Sequence, residues 1–211
     1  MQHHSSWNLD PTRVLTRREL ALVLADARKK ARRSANGCRN LIILRLACCC
    51  GLRVSEIAQL LIGDLILDGP RPHLRLRRTT TKGKKARMVP LWWDAGTLAD
   101  LRDWIAERQQ MGAGGRDFAI CSVQANRSGQ PIQRHAIRRR FLTACKILGP
   151  SRLKTLTIHH GRHTFISHAL AGGRTLAEVR AAAGHANVAI TSVYLHVVID
   201  DDLEQIGNLF G

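Results

Sequence analysis

Tyrosine is almost missing from this chain: one residue in 211, Tyr194, within an aromatic share of 4%. Any chemistry that needs a phenol therefore has a single candidate. Acid is scarce too, with 16 Asp and Glu against 33 Lys and Arg, and the formal net charge is +17 with a pI near 11.1. That imbalance excludes an acidic, self-solvating chain and points to a polyanionic partner, DNA or RNA before a membrane surface. No run of 18 apolar residues exists to span a bilayer, and the opening MQHHSSWNLDPTRVLT holds no apolar signal core. A cytoplasmic protein without a membrane partner is expected. The six cysteines contain no CxxC pair: Cys48, Cys49 and Cys50 are consecutive, while Cys38, Cys121 and Cys145 stand apart. Neither a zinc knuckle nor a disulfide framework is offered, so the thiols read as small apolar groups kept reduced.

What is present is a chain able to fold. It is 45% apolar, enough for a real core in one domain. The patterning is mainly helical. Thr16 is a candidate N-cap with Glu19 three residues on, opening a helix that runs toward Gly37. A second apolar helix is expected over about 38–50, ending at Gly51, and a third from Arg53. Residues 72–90, PHLRLRRTTTKGKKARMVP, alternate apolar and basic positions about a Lys-Gly-Lys-Lys turn, which predicts a β-hairpin. Further helices are expected near 95–111, 131–148 with Pro131 in the first turn, 158–171, 175–183, 187–197 and 201–210. The predicted fold class is α+β: mainly helical with a small antiparallel sheet. Residues 1–13 read as a leader or linker stub ahead of one domain over 14–211.

The stretch TIHHGRHTFISHA, residues 157–169, gathers His159, His160 and His163 around Arg162. The i, i+4 spacing of His159 and His163 suits a helical metal pair. No glutamate stands where a zinc hydrolase needs its base, however, and Arg162 between the two rings would repel a dication. An arginine flanked by imidazoles is better built to hold an anion. No metal is expected.

Taken singly, Arg53, the lysines of the hairpin turn and the histidine cluster each have a bland reading as solvated polar surface. Together CGLRVSEIAQL, TKGKKARMVPL, HHGRHTFISHAL and GHANVAITSVYLHV resemble, in order and spacing, the catalytic domain of the tyrosine recombinases, the phage-integrase family. The resemblance covers about residues 14–210. Its most specific part is HxxRH, then Gly-His, then a tyrosine nine residues later: His159, Arg162, His163, Gly184, His185 and Tyr194.

The resemblance implies phosphoryl transfer without metal, nucleotide or other cofactor. Tyr194 would attack a DNA phosphodiester and form a 3′-phosphotyrosyl bond, which stores the bond energy until a 5′-hydroxyl reverses the step. Arg53 and Arg162 would clamp the non-bridging oxygens, and His185 would donate a third hydrogen bond. A phenol of pKa about 10 needs help to lose its proton, and His159 is the implied base. Lys82 would protonate the departing 5′-oxygen. Glu56 would orient the basic cluster, and His163 would be a scaffold histidine hydrogen-bonded beneath the site. Lys84, Lys85 and Arg87 on the hairpin are expected to touch DNA. So are Arg134, Arg138 and Arg139 on the helix after SGQP, against the bland reading of a solvated basic face.

Departures from the family pattern are few. Gly161 and Ala183 stand where leucine is usual, and the helical DNA-binding domain that family members carry ahead of the catalytic domain has no counterpart in these residues. The last segment, DDLEQIGNLFG, spaces Leu203, Ile206, Leu209 and Phe210 as an apolar helical stripe. In the family such a tail docks on a neighbouring protomer of a DNA-bound tetramer; folding back on its own domain is the alternative. Three functions follow: an active site-specific recombinase acting on duplex DNA, a DNA-binding relic or accessory factor, and a type IB topoisomerase-like enzyme.

Overall fold

The computed structural model describes residues 11–81 and 85–185 together with Thr191 and Tyr194. Thr16 caps α1 (Arg17–Ala31): its hydroxyl accepts from the Glu19 N–H while the Glu19 carboxylate accepts from the Thr16 N–H. The break before the next helix falls at Ser34, not at Gly37. Ser34 caps α2 (Ala35–Cys48), and Gly37 lies in the first turn of α2, where a Cβ would stand 2.2 Å from the Lys30 carbonyl oxygen of α1. Glycine here permits a close approach between two helices and does not end one.

α2 is the centre of the molecule. Residues 41–48 are buried on every side, and the helix packs against α1, α4 (Ala95–Gln110), α5 (Arg134–Ala144) and α7 (Ile158–Ala171). A helix apolar all round belongs in a core. Cys48, Cys49 and Cys50 close it at 0–3% exposure, and burial pushes all three thiols up. Arg45, 1% exposed, pairs with Asp94 at 3.0 Å and Asp100 at 2.7 Å and so ties α2 to α4.

After α3 (Val54–Gln59) comes a three-stranded antiparallel sheet, β1 (Leu65–Ile66), β2 (His73–Leu76) and β3 (Arg87–Pro90), in the order β1-β2-β3. Leu74 pairs with Val89 and Leu76 with Arg87. Leu74, Leu76 and Val89 face the core at 0–1% exposure, while Met88 points out. The expected hairpin is present, but its paired segments are only four residues long, and the short β1 carried too little pattern to announce itself. Two further boundaries differ. Pro131 bridges to Cys121 instead of opening α5, whose N-cap is Gln133, and α6 (Gly149–Thr155) was not anticipated.

The segment entering α1 is fastened to the domain. Arg152 donates to the carbonyls of Thr12 and Val14 and pairs with Glu19, while His168, 0% exposed, donates through Nε2 to the Leu15 carbonyl. The chain is thus part of the fold before the expected boundary at residue 13. α8 (Leu176–Ala183) completes the described helices, none of which is long and apolar enough to cross a membrane. The expected helices over 187–197 and 201–210, apart from Thr191 and Tyr194, lie outside the described residues.

Candidate active site

α7 supplies most of the site. It begins after Thr157, whose N–H donates to His160 Nδ1, and spaces His159, Arg162 and His163 over one turn. Gly161 decides how deep the helix sits. A Cβ there would lie 3.0 Å from Ala47 Cβ and 3.1 Å from Cys48 Sγ, so α7 rests almost backbone-on-backbone against α2. The leucine expected at 161 would not fit, and the departure from the family pattern acquires a packing reason.

Arg162 is only 2% exposed, yet among the described residues no carboxylate is hydrogen-bonded to it. Its Nη1 donates to the Gly51 carbonyl at 2.7 Å and its Nη2 to the Ala183 carbonyl. Burial, then the charges of Arg53 and Arg87, bring its pKa down to about 9. Such an arginine is held rigidly, short of negative charge, and preorganised for an anion. Arg53 precedes α3, where the Glu56 carboxylate accepts from its backbone N–H at 2.8 Å and from its Nη1 at 3.1 Å.

Glu56 is 0% exposed and also receives both terminal nitrogens of Arg87, at 2.7 and 2.9 Å. Burial alone would raise its pKa; the hydrogen bonds and charge of Arg87, with those of Arg53, outweigh burial and hold it below the usual carboxylate value. Arg87 Nε then donates to the Ala182 carbonyl at 2.8 Å. Arg87 and Arg162 thereby grip consecutive carbonyls at the C-terminal end of α8, where the helix dipole is negative. The next residue, Gly184, turns left-handed at φ +68°, and a Cβ on it would meet Arg87 Cδ at 2.8 Å. This turn delivers His185, whose Nδ1 bonds Thr191 Oγ1 at 2.9 Å. Burial and the nearby arginines lower His185 to about 4.

Tyr194 is 7% exposed, and burial raises its pKa against the pull of Arg162. Its hydroxyl bonds His163 Nδ1. Burial, with His159, His160 and Arg162 around it, lowers His163 to about 3, so the ring is neutral and the hydroxyl is assigned as the donor. His159 was the expected partner of the hydroxyl. It stands one ring away instead, edge-on to His163 with ring centres 4.8 Å apart, and is itself exposed. Of two histidines on one helix face, His163 lies nearer the tyrosine because residue 194 comes in against the later turn.

The other expected residues divide clearly. Arg87 is no exposed DNA contact: its side chain is 8% exposed and engaged by Glu56 and Ala182. Val89, two residues along the same strand and fully buried, is the sequence signal that Arg87 points inward. Lys82 and Lys84 lie outside the described residues, and Lys85 is exposed at the base of the turn. Arg134, Arg138 and Arg139 are exposed along α5. Arg138 faces an open cleft of about 620 Å³ that it shares with Arg53, Ser55, Thr157 and His159. Leu203, Ile206, Leu209 and Phe210 fall outside the described residues.

The chain resembles known proteins in sequence and in fold. The chain is 33% identical over 159 residues to the tyrosine recombinase XerC of Corynebacterium efficiens, across 75% of its own length and 46% of that protein. It is 32% identical over 194 residues to a tyrosine recombinase of Pseudothermotoga lettingae, across 89% of its own length and 60% of the relative. It therefore spans about half the length of these relatives. Among solved structures, its fold matches XerH site-specific recombinase bound to difH substrate in a pre-cleavage complex, with a TM-score of 0.69 at 23% identity over 90% of this chain and 51% of that one. The Tn1549 transposon integrase in complex with transposon right end DNA gives 0.58 at 20% identity, over 91% of this chain and 64% of that one. With residues 13–199 matching the family described as Phage integrase family, the chain belongs to that family, whose members here are tyrosine recombinases.

Proposed function

We propose that this chain is the strand-cutting part of a site-specific DNA recombinase, with Tyr194 as its nucleophile. The observation that carries the reading is the hydrogen bond from the Tyr194 hydroxyl to His163 beside the carboxylate-free guanidinium of Arg162. A phosphodiester seated between Arg53 and Arg162 would place its phosphorus in front of that oxygen. As the Tyr194 oxygen bonds to phosphorus, its proton passes to His163 and the bond to the 5′-oxygen breaks. That oxygen takes a proton from Lys82 of the hairpin turn. The 3′-phosphotyrosyl bond conserves the energy of the broken one, so rejoining by a 5′-hydroxyl needs no nucleotide or other cofactor.

Burial, and then the charges of His159, His160 and Arg162, make His163 a weak base. A bound phosphate adds negative charge at the same place and raises the histidine pKa. The substrate would thus strengthen the base that its own cleavage requires. Duplex DNA is the proposed partner, met by Arg134, Arg138 and Arg139 with Lys84 and Lys85, and the apolar stripe over 201–210 is the proposed surface for self-association into a tetramer.

The test is covalent trapping. Native protein and the Tyr194→Phe, His163→Gln and His159→Gln variants are incubated with nicked duplexes and supercoiled plasmid, then denatured. Native protein should stay attached to DNA and Tyr194→Phe should not. His163→Gln should slow attachment by roughly 10²–10⁴-fold, the usual worth of a general base, and His159→Gln by less. Intact DNA binding without any adduct would replace this reading with that of an accessory factor. Relaxed plasmid without strand exchange would favour the topoisomerase-like one.

A further inference from the structure

An arginine offers N–H groups along every edge of its guanidinium, but a neutral imidazole has one N–H and one bare nitrogen. Which nitrogen holds the proton decides what a neutral histidine can do. His185 is such a ring. Burial, then the charges of Arg162, Arg53 and Arg87, bring it down to about 4, so it carries a single ring proton at neutral pH. It is expected to donate a hydrogen bond to the phosphate oxygens that Arg53 and Arg162 would clamp. Only a protonated nitrogen can do so, because a bare one would face those oxygens lone pair to lone pair.

The ring's partner is Thr191, which is 0% exposed and whose Oγ1 lies 2.9 Å from His185 Nδ1. Nδ1 is thereby occupied, and Nε2, across the ring, is the nitrogen left to meet a phosphate. The kind of partner matters. A backbone carbonyl or a carboxylate at this point could only accept, so it would draw the proton to Nδ1 and leave Nε2 bare. A hydroxyl can donate. Nδ1 then stays bare yet paired inside the protein, and the one proton is assigned to Nε2. Thr191 also stands three residues before Tyr194, whose ring lies 6.5 Å from that of His185 at 26°. The same bond thus joins the histidine to the segment that carries the phenol.

We propose that Thr191 is a positioning residue of the candidate active site: its hydroxyl donates to His185 Nδ1 and places the ring's one proton on Nε2, for a non-bridging phosphate oxygen to accept. The phosphate rests on the recombinase reading above; the place of the proton does not.

The test reads the proton directly. Protein carrying isotope-labelled histidine is recorded near neutral pH in a proton–nitrogen spectrum, where protonated and bare ring nitrogens resonate far apart, and His185→Gln identifies the ring's signals. Native protein should show Nε2 protonated and Nδ1 bare, and a proton on Nδ1 overturns the proposal. Thr191→Val keeps the shape and removes the hydroxyl, whereas Thr191→Ser keeps the hydroxyl. With saturating nicked duplex, Thr191→Val should form the covalent adduct roughly 10–100-fold more slowly while its affinity for the duplex is kept, the usual loss when the partner that orients a working histidine is removed. Thr191→Ser should recover most of that rate. A valine variant as fast as native protein, or a serine variant as slow as the valine one, also overturns the proposal. If the valine variant fails in a thermal melt, the native spectrum still decides. The spectrum needs no DNA, which keeps the two readings apart. Native protein that forms no adduct yet holds its proton on Nε2 removes the recombinase reading and spares the role of Thr191, whereas an adduct with the proton on Nδ1 does the reverse.

Discussion

Replacing Arg87 by methionine strands a carboxylate that has no route to water. Glu56 is 0% exposed and would keep only the backbone N–H and one Nη of Arg53. Removing one partner of a buried pair costs about 3–5 kcal/mol, and the surviving Arg53 contacts place this case near 3. Losing the bond to the Ala182 carbonyl adds about 1 kcal/mol that does not depend on pH. The pH dependence identifies the larger part. In the native protein Glu56 has a depressed pKa, so its contribution is present above the unfolded carboxylate value of about 4.3 and is lost as pH falls through the folded one. In Arg87→Met burial prevails, the folded pKa rises above the unfolded one, and the penalty appears only as pH rises and the carboxyl must ionise.

The stability gap between native and Arg87→Met should therefore be small near pH 4 and widest at neutral pH. One proton changes stability by at most about 1.36 kcal/mol per pH unit, so a gap of about 3 needs at least two units to open. Urea melts from pH 4 to 8 measure it. Arg87→Lys, which keeps a charge but not the fork, should show an intermediate gap. Glu56→Gln in the Arg87→Met background should abolish its pH dependence. A gap of equal size at both ends of the range would mean that Arg87 is not what keeps Glu56 ionised.

Three other consequences are open to measurement. Gly184→Ala places a Cβ at a left-handed position against Arg87 and should lower stability by about 1–3 kcal/mol in a thermal melt; an unaffected protein would show that the α8–Arg87 contact yields freely. Gly161→Ala should gain about 1 kcal/mol of helix propensity and lose about 1–3 to crowding against Ala47 and Cys48, so a rise in Tm would contradict the close approach of α7 to α2. His163, His168 and His185 are held neutral, at about 3, 4 and 4 against an ordinary 6.5, so the unfolded chain takes up protons first. Stability should be full above pH 6.5 and fall toward pH 4, more gently in His168→Gln, and a native protein equally stable at pH 7 and 5 would contradict that burial.

What was legible in the sequence was local. The Thr16–Glu19 box and the helix ends expected at 171 and 183 each depend on residues within a turn of one another. Boundaries set by another element were not legible. Gly37 looked like a helix end because glycine often is one, whereas its role is to let α1 and α2 touch. The site repeats the pattern at higher stakes. Arg53, Arg162, His185 and Tyr194 were implied by the family resemblance, but His159 and His163 share a helix face. Which ring meets the tyrosine depends on where residue 194 returns, some 31 positions later in the chain. Arg87, expected to touch DNA, alternates with the exposed Met88 and lies on the same side of its strand as the buried Val89, which turns it toward Glu56.

The arginines of this highly charged chain sort by what answers their charge. Arg45, Arg87 and Arg152 each meet a carboxylate and fasten one element to another: α2 to α4, β3 to α3, and α6 to α1. Their charge is satisfied by the fold itself, and nothing arriving from outside improves it. Arg162 is as deeply buried, but among the described residues it donates to carbonyl oxygens alone. Burial, then the charges of Arg53 and Arg87, outweigh the opposing pull of Glu56 and bring it down to about 9. An anion reaching that guanidinium would add a countercharge in a place of low dielectric, where the attraction is greatest. Net charge explains why a polyanion would approach this chain; the proposed role of Arg162 rests on its being the buried arginine that carbonyls, not a carboxylate, hold.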